Sequence, residues 1–109
     1  MNPVLYLAQR GTAAILGFAV TIHLATMIYA TRSGLTAGDI FVRTKDNWWF
    51  LSFYALFVLA AAIHAPIGLR SVLREWTSWH GRSLDIAMIG FSTLLVVLGL
   101  RAAFAVFLA

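Results

Sequence analysis

Two histidines inside apolar segments are the side chains of this sequence best suited to chemistry. His23 lies in GFAVTIHLATM and His64 lies in LAAAIHAPIGL. A neutral imidazole can bind a metal through one ring nitrogen once the other nitrogen has a hydrogen-bond partner. A single histidine of this kind is more often explained by a hydrogen bond to a neighbouring helix. Two of them, in apolar segments that contain no carboxylate, favour ligand binding.

The residues after His64 extend this pattern. Gly68 follows four residues later on the same helix face, and Arg70 and Arg74 are also four residues apart. A glycine lets a flat cofactor approach the backbone, and guanidinium groups at the membrane surface can pair with carboxylates. Pro66 can bend the helix beside the site. Helix packing would explain Gly68 alone, and lipid headgroups would explain one arginine. The combination predicts haem, with the arginines near its propionates.

The segments that must position these residues are typical of a membrane protein. The chain has 109 residues, of which 61% are hydrophobic and 11% charged, and its mean hydropathy is +0.87. Three apolar runs, roughly Thr12–Ala30, Trp48–Leu69 and Ile86–Phe107, reach the length of about 20 residues that a span requires. We therefore predict an all-α membrane protein. Its single domain, residues 1–109, has three transmembrane helices at about 3–30, 48–75 and 84–107, joined first by a polar loop, Thr31–Asn47.

Composition argues against several functions. The chain has no cysteine, which rules out disulfides and cysteine-held clusters within it. Its net charge of +4 comes from cations scattered at helix ends, which predicts contact with membrane lipid and no nucleic acid partner. A transporter normally needs a carboxylate within the membrane. The four acids lie outside the predicted spans or at their edges: Asp39, Asp46, Glu75 and Asp85.

Spacing predicts different depths for the two histidines. The first two spans run antiparallel, so we place Arg10 and Arg70 at the same membrane face. His64 is then about 9 Å from that face and His23 about 20 Å. A difference of about 10 Å in depth is too large for the two imidazoles to hold one metal between them. Each would supply one axial ligand to a separate centre, and the second ligand would come from another chain or a second copy.

Two stretches resemble the membrane-anchor cytochrome b subunits of succinate dehydrogenases and fumarate reductases. HAPIGLRSVLREW is similar to their second-helix motif, in which a histidine is followed after three residues by glycine, an aliphatic residue, often arginine, and then an acid. QRGTAAILGFAVTIHL is similar to their first helix. The resemblance covers about Gln9–Thr31 and Phe53–Trp76. It implies that the chain is half of a haem-binding helical bundle, completed by a partner anchor or a second copy.

The resemblance also implies a role in electron transfer. Such anchors hold a flavoprotein and an iron–sulfur subunit on the membrane, bind quinone, and often bind one or two b-type haems per pair of anchor chains. They perform no bond chemistry on the dicarboxylate. His64 and His23 match the axial-ligand positions of two haems. The resemblance assigns Arg10, Arg70 and Arg74 to haem propionates or quinone oxygens, and it makes Tyr6 and Trp76 weaker candidates for the quinone pocket.

Several positions depart from the family pattern. Tyr6 stands where one-haem anchors have a quinone-binding serine, and Ser71 replaces a second histidine. Glu75 stands where aspartate is usual. Ala62 stands where some two-haem members have a glutamate linked to proton movement, so we expect no such proton path.

A bacterial inner membrane is the simplest location for this chain, and the resemblance places the N-terminus on its cytoplasmic side. The charge count does not decide the orientation, because four cations fall on each side. The N-terminus lacks the early basic region of a signal peptide, so we do not expect one. Two alternatives stay open: a haem b subunit of another respiratory dehydrogenase, and a haem-free structural anchor that keeps the histidines as packing residues.

Overall fold

The computed structural model describes residues 3–109, and these form four α-helices. The helices are α1 (Pro3–Arg32), α2 (Ala37–Thr44), α3 (Trp48–Trp76) and α4 (Arg82–Leu108). The three long helices have 30, 29 and 27 residues and are apolar enough to cross a membrane. At about 1.5 Å per residue they measure roughly 40–45 Å, so their ends extend beyond a hydrocarbon core of about 30 Å. The predicted all-α fold with three spans is confirmed.

Local signals set the ends of the long helices. After α1, Gly34 adopts φ +67°, and the Leu35 N–H donates to the Ala30 carbonyl at 3.0 Å, which closes the last turn. Asn47 begins α3 because its side-chain oxygen accepts hydrogen bonds from the N–H groups of Trp49 and Phe50 at 3.0 and 3.3 Å. These caps fix where α1 ends and where α3 begins.

The linker between α1 and α3 is not the polar loop that was predicted. Thr36 and Asp39 form a capping box that starts α2: the Thr36 N–H donates to Asp39 Oδ2 at 2.9 Å, and the Asp39 N–H donates to Thr36 Oγ1 at 3.2 Å. The hydrogen bond from the Thr36 backbone lowers the pKa of Asp39 below its ordinary value of 3.8. The prediction of a loop was wrong over Ala37–Thr44, because it relied on the polar composition of the linker and did not use the Thr-x-x-Asp capping signal.

Helix α3 packs against α1 on one side and against α4 on the other. On the α4 side the backbones come close, since a Cβ added to Gly99 would lie 2.5 Å from Val58 Cγ1. On the α1 side a Cβ added to Gly68 would lie 3.2 Å from Gln9 Nε2. The central helix therefore presents one face to each neighbour, and His64 and Arg70 lie on different faces of it.

Pro66 lies inside α3 and leaves one backbone carbonyl without its usual donor. A proline has no N–H, so the carbonyl of Ala62, four residues earlier, has no intrahelical partner. The Ser92 hydroxyl of α4 donates to this carbonyl at 2.6 Å. In a membrane an unsatisfied carbonyl costs several kcal/mol, so this bond both relieves the proline defect and fixes α4 beside α3.

The segment between α2 and α3 closes the end of the bundle where α4 ends. The Asp46 N–H donates to the Phe107 carbonyl at 2.9 Å, at the end of α4. The rings of Trp48 and Phe107 pack with centroids 4.8 Å apart. These contacts hold the end of α2 against α4, where it covers the end of the bundle next to His23.

Candidate cofactor-binding site

His64 lies on the face of α3 that meets α1. Its Nδ1 atom is 3.3 Å from Thr12 Oγ1, and the ring is half-buried. Gln9, one turn before Thr12, lies against Gly68, and its buried Oε1 has no hydrogen-bond partner among residues 3–109. Gly68 is thus in contact with α1 in the single chain. Its predicted role in admitting a porphyrin edge stays a prediction.

His23 lies at the other end of the α1–α3 interface among aromatic rings. Its Nδ1 atom is 3.5 Å from the Tyr54 hydroxyl, and the rings of Tyr54 and Phe57 approach edge-on at centroid distances of 5.8 and 6.1 Å. Two cavities border the imidazole. One, of ≈ 150 Å³, also includes Arg43 of α2, and the other, of ≈ 210 Å³, includes Trp49. Both cavities are largely apolar, and among residues 3–109 Arg43 is the one cationic residue that lines them.

Contacts across the α1–α3 interface give the depth of each histidine. Thr12 is level with His64, and His23 is level with Tyr54. The ten residues from Tyr54 to His64 correspond to about 15 Å along α3. This exceeds the predicted 10 Å because Gln9 lies opposite Gly68, which puts Arg10 about one turn deeper than Arg70. The two imidazoles are too far apart to share one iron.

Two of the predicted quinone residues are brought together near the N-terminus. Arg10 Nη1 donates to the Tyr6 hydroxyl at 3.0 Å, and both side chains are exposed on α1. Trp76, at the end of α3, is 83% exposed. By the same register Tyr6 is level with about residue 71, so Trp76 lies roughly 7–8 Å further out along the bundle. The Tyr6–Arg10 pair forms one polar patch, and the chain alone does not bring Trp76 to it.

Arg70 turns towards α4, where it has a carboxylate partner. Its Nε donates to Asp85 Oδ1 at 2.7 Å, with the two side chains 26% and 49% exposed. Arg70 also lines a polar cavity of ≈ 360 Å³ with Ser71, Arg74 and Glu75. The two predicted propionate partners are therefore neighbours, but Asp85 already balances part of their charge. Sequence reasoning missed Asp85 because 15 residues separate it from Arg70 along the chain.

A largely apolar groove of ≈ 370 Å³ runs inward from this ion pair; α3 and α4 form most of its lining, and Leu5 of α1 also borders it. Arg70 and Asp85 lie at its polar end, and Ile63, Pro66 and Met88 are among its apolar lining. The groove is on the α4 side of α3, whereas His64 faces α1. Arg70 and His64 are therefore roughly a third of a turn apart around the α3 axis.

The donor chemistry of both histidines is compatible with haem. Within residues 3–109 no three His, Cys, Asp or Glu side chains group closely enough to hold a bare metal ion. Haem brings its own four equatorial nitrogens and takes only axial ligands from the protein. A half-buried, isolated imidazole in apolar surroundings, with a hydrogen-bond partner on Nδ1, is the donor that such a group uses. The residues present therefore fit a haem ligand and do not fit a multi-ligand metal site.

Fold and site together define a multi-pass membrane protein with two separate single-histidine positions. The family model of the succinate dehydrogenase/fumarate reductase transmembrane subunit matches residues 2–106, and the chain belongs to this family. Searches among curated proteins and among solved structures gave no significant match. Membership implies a membrane subunit that associates with other subunits of such a complex.

Proposed function

We propose that this chain is a haem b-binding membrane anchor of a succinate:quinone oxidoreductase or fumarate reductase. It carries electrons between the iron–sulfur subunit and membrane quinone. Haem, when bound, supplies reversible one-electron redox chemistry. The chain's own residues ligate the iron, balance the propionates and hold the quinone, and the dicarboxylate chemistry takes place in the flavoprotein subunit.

One observation carries this proposal: two half-buried imidazoles lie about 15 Å apart in depth within a member of this family that has three apolar spans. Ionisable side chains within membrane helices are costly and mark functional sites. His64 and His23 would each ligate the iron of a separate haem. Arg43, in the pocket beside His23, supplies positive charge at the second site.

The chain offers one imidazole at each depth, so a second chain must complete each site. A partner anchor, or a second copy related by an axis along the membrane normal, places its own histidines at matching depths. One or two haems per pair of anchor chains result. Helix α1 has the free surface for this contact, because only Thr12 and Ala19 are buried on it.

The quinone site is assigned to the end of the bundle that carries the N-terminus. Tyr6 and Arg10 already form a hydrogen-bonded pair there, and Arg70, Arg74 and Trp76 lie at the same end. Phenol and guanidinium groups can donate hydrogen bonds to a quinone oxygen. This end faces the cytoplasm of a bacterial cell in our proposal, where the flavoprotein and iron–sulfur subunits dock.

A spectrum of the intact complex tests the function. We expect the complex, purified with its catalytic subunits in detergent, to show a dithionite-reduced b-type haem spectrum. A quinol or the dicarboxylate substrate should reduce at least part of that haem. An assembled complex that transfers electrons from substrate to quinone but contains no haem would contradict the haem assignment. It would leave the chain as a structural anchor.

A further inference from the structure

We propose that Thr12 is a positioning residue that fixes the tautomer of His64, so that Nδ1 carries the proton and Nε2 is left as the iron ligand. The inference rests on the proposed haem function and deepens it. Thr12 touches neither the iron nor the substrate in this account. It acts through the imidazole.

The argument starts from the single proton of the Thr12 hydroxyl. Oγ1 lies 2.7 Å from the Ala8 carbonyl, 3.1 Å from the Gln9 carbonyl and 3.3 Å from His64 Nδ1. The two carbonyl oxygens can only accept, so the proton points back along α1, and the shortest distance assigns it to Ala8. The hydroxyl therefore presents a lone pair to His64.

The lone pair of Thr12 selects one form of the imidazole. In a neutral histidine one ring nitrogen is a donor and the other an acceptor. With the proton on Nδ1, His64 donates to Thr12 and keeps the Nε2 lone pair for a metal. With the proton on Nε2, two lone pairs would face each other at 3.3 Å, unless Thr12 gave up its 2.7 Å bond to Ala8. The contact therefore favours the metal-binding tautomer.

The other threonines of α1 show what is particular to Thr12. Thr21, Thr26 and Thr31 also donate to the carbonyl four residues earlier, at 2.7–2.8 Å, but their side chains are exposed. Thr12 is only 7% exposed. Because the backbone bond is common to all four, the contact with His64 is the property that distinguishes Thr12.

Among residues 3–109, no side chain sets the tautomer of His23 as Thr12 sets that of His64. The Tyr54 hydroxyl at 3.5 Å can either donate or accept, so it does not select a tautomer. The two histidines thus differ in how firmly their ligating nitrogen is set. Removal of the Thr12 hydroxyl should change the His64 haem and spare the other.

The experiment compares three variants in the assembled complex. Thr12→Val removes the hydroxyl at constant shape, Thr12→Ser keeps it, and Thr21→Val removes a matched hydroxyl that does not contact a histidine. Loss of an outer-shell partner typically costs about 10–100-fold in metal affinity. We expect a loss of this size for Thr12→Val, measured by haem transfer to apomyoglobin. We also expect a higher midpoint potential of one haem, because a less basic imidazole stabilises the oxidised iron less. Thr12→Ser and Thr21→Val should behave as wild type.

A second measurement tests the proton on Nδ1 in a variant that keeps Thr12. In His64→Gly, added imidazole should restore the haem spectrum better than 1-methylimidazole, which has no N–H to donate, and Thr12→Val in the same background should remove that preference. Wild-type haem affinity and potential in Thr12→Val, or equal rescue by the two ligands, would overturn the inference. Absence of haem from the wild-type complex would instead overturn the proposed function.

Discussion

The hydroxyl of Ser92 donates a 2.6 Å hydrogen bond to the carbonyl of Ala62, which Pro66 deprives of its intrahelical donor. The defect in α3 and its remedy in α4 therefore meet two residues from His64. This bond fixes the shape of α3 in the turn that carries His64. A proline in a membrane helix is tolerated here because a neighbouring helix supplies the missing donor.

Ser92→Ala should weaken the packing of α4 against α3. Hydrogen bonds between membrane helices contribute up to about 1.7 kcal/mol, and this variant also leaves the Ala62 carbonyl without a donor, so we expect a loss of about 2 kcal/mol. Thermal unfolding of the complex in detergent measures it. Thr93→Ala is the matched control, because Thr93 donates only within its own helix, to Ile89. Equal stability of the two variants would mean that the Ser92 bond contributes nothing.

Gly99→Ala should destabilise the bundle, and Gly90→Ala should not. A Cβ at position 99 would lie 2.5 Å from Val58 Cγ1, whereas nothing lies within 4 Å of a Cβ at position 90. Overpacking of this kind costs about 1–3 kcal/mol, while alanine is favoured over glycine by about 1 kcal/mol in an open helical position. Unfolding curves of the two variants in the same detergent should separate in opposite directions from wild type.

The start of α2 should depend on acid pH. The Thr36 backbone N–H lowers the pKa of Asp39, so the capping box fully stabilises α2 at pH values above 3.8, the ordinary pKa of this group. That stabilisation is lost as the pH falls through the lowered pKa of the folded state. The protection factor of the Thr36 amide, which is its exchange rate relative to an unstructured peptide at the same pH, should therefore fall in strong acid. Asp39→Asn should remove the pH dependence, and Asp46→Asn should keep it.

Arg70 and Asp85 should shift the nearer haem in opposite directions. The oxidised iron carries one more positive charge than the reduced iron, so loss of a nearby cation stabilises the oxidised form. Arg70→Gln should therefore lower the midpoint potential, and Asp85→Asn should raise it. The ion pair is partly exposed, so neither change should cost more than about 1 kcal/mol of stability. Redox titration reports the shifts, and Arg101→Gln serves as a charge control. Shifts of the same sign would contradict the assigned position of the pair.

The spans could be predicted from the sequence because length and hydropathy alone determine them. The depth of the histidines could be predicted only in part. Consecutive spans run antiparallel, and residue spacing then predicted the two depths, but the register depends on the contact of Gln9 with Gly68, which the sequence does not reveal. Helix α2 was missed although its capping box, Thr36 and Asp39, is visible in the sequence.

The partners of the site residues were harder to predict than the residues themselves. The two histidines stand out because they are polar groups in apolar segments. Thr12 does not, since threonines in membrane helices commonly bond to their own backbone. Its contact with His64 spans 52 residues of sequence, and Arg43 lies beside His23 only because α2 packs against α4 and lines the cavity next to His23.

The haem content of a His64→Ala variant tests the central claim most directly. Pyridine haemochrome analysis of the assembled complex should find b-type haem in the wild type and the loss of one haem in His64→Ala. His23→Ala, measured alongside, should lose a different haem, and the subunits should stay together in both. Wild-type haem content in an assembled His64→Ala complex would contradict the assignment of His64 as an axial ligand.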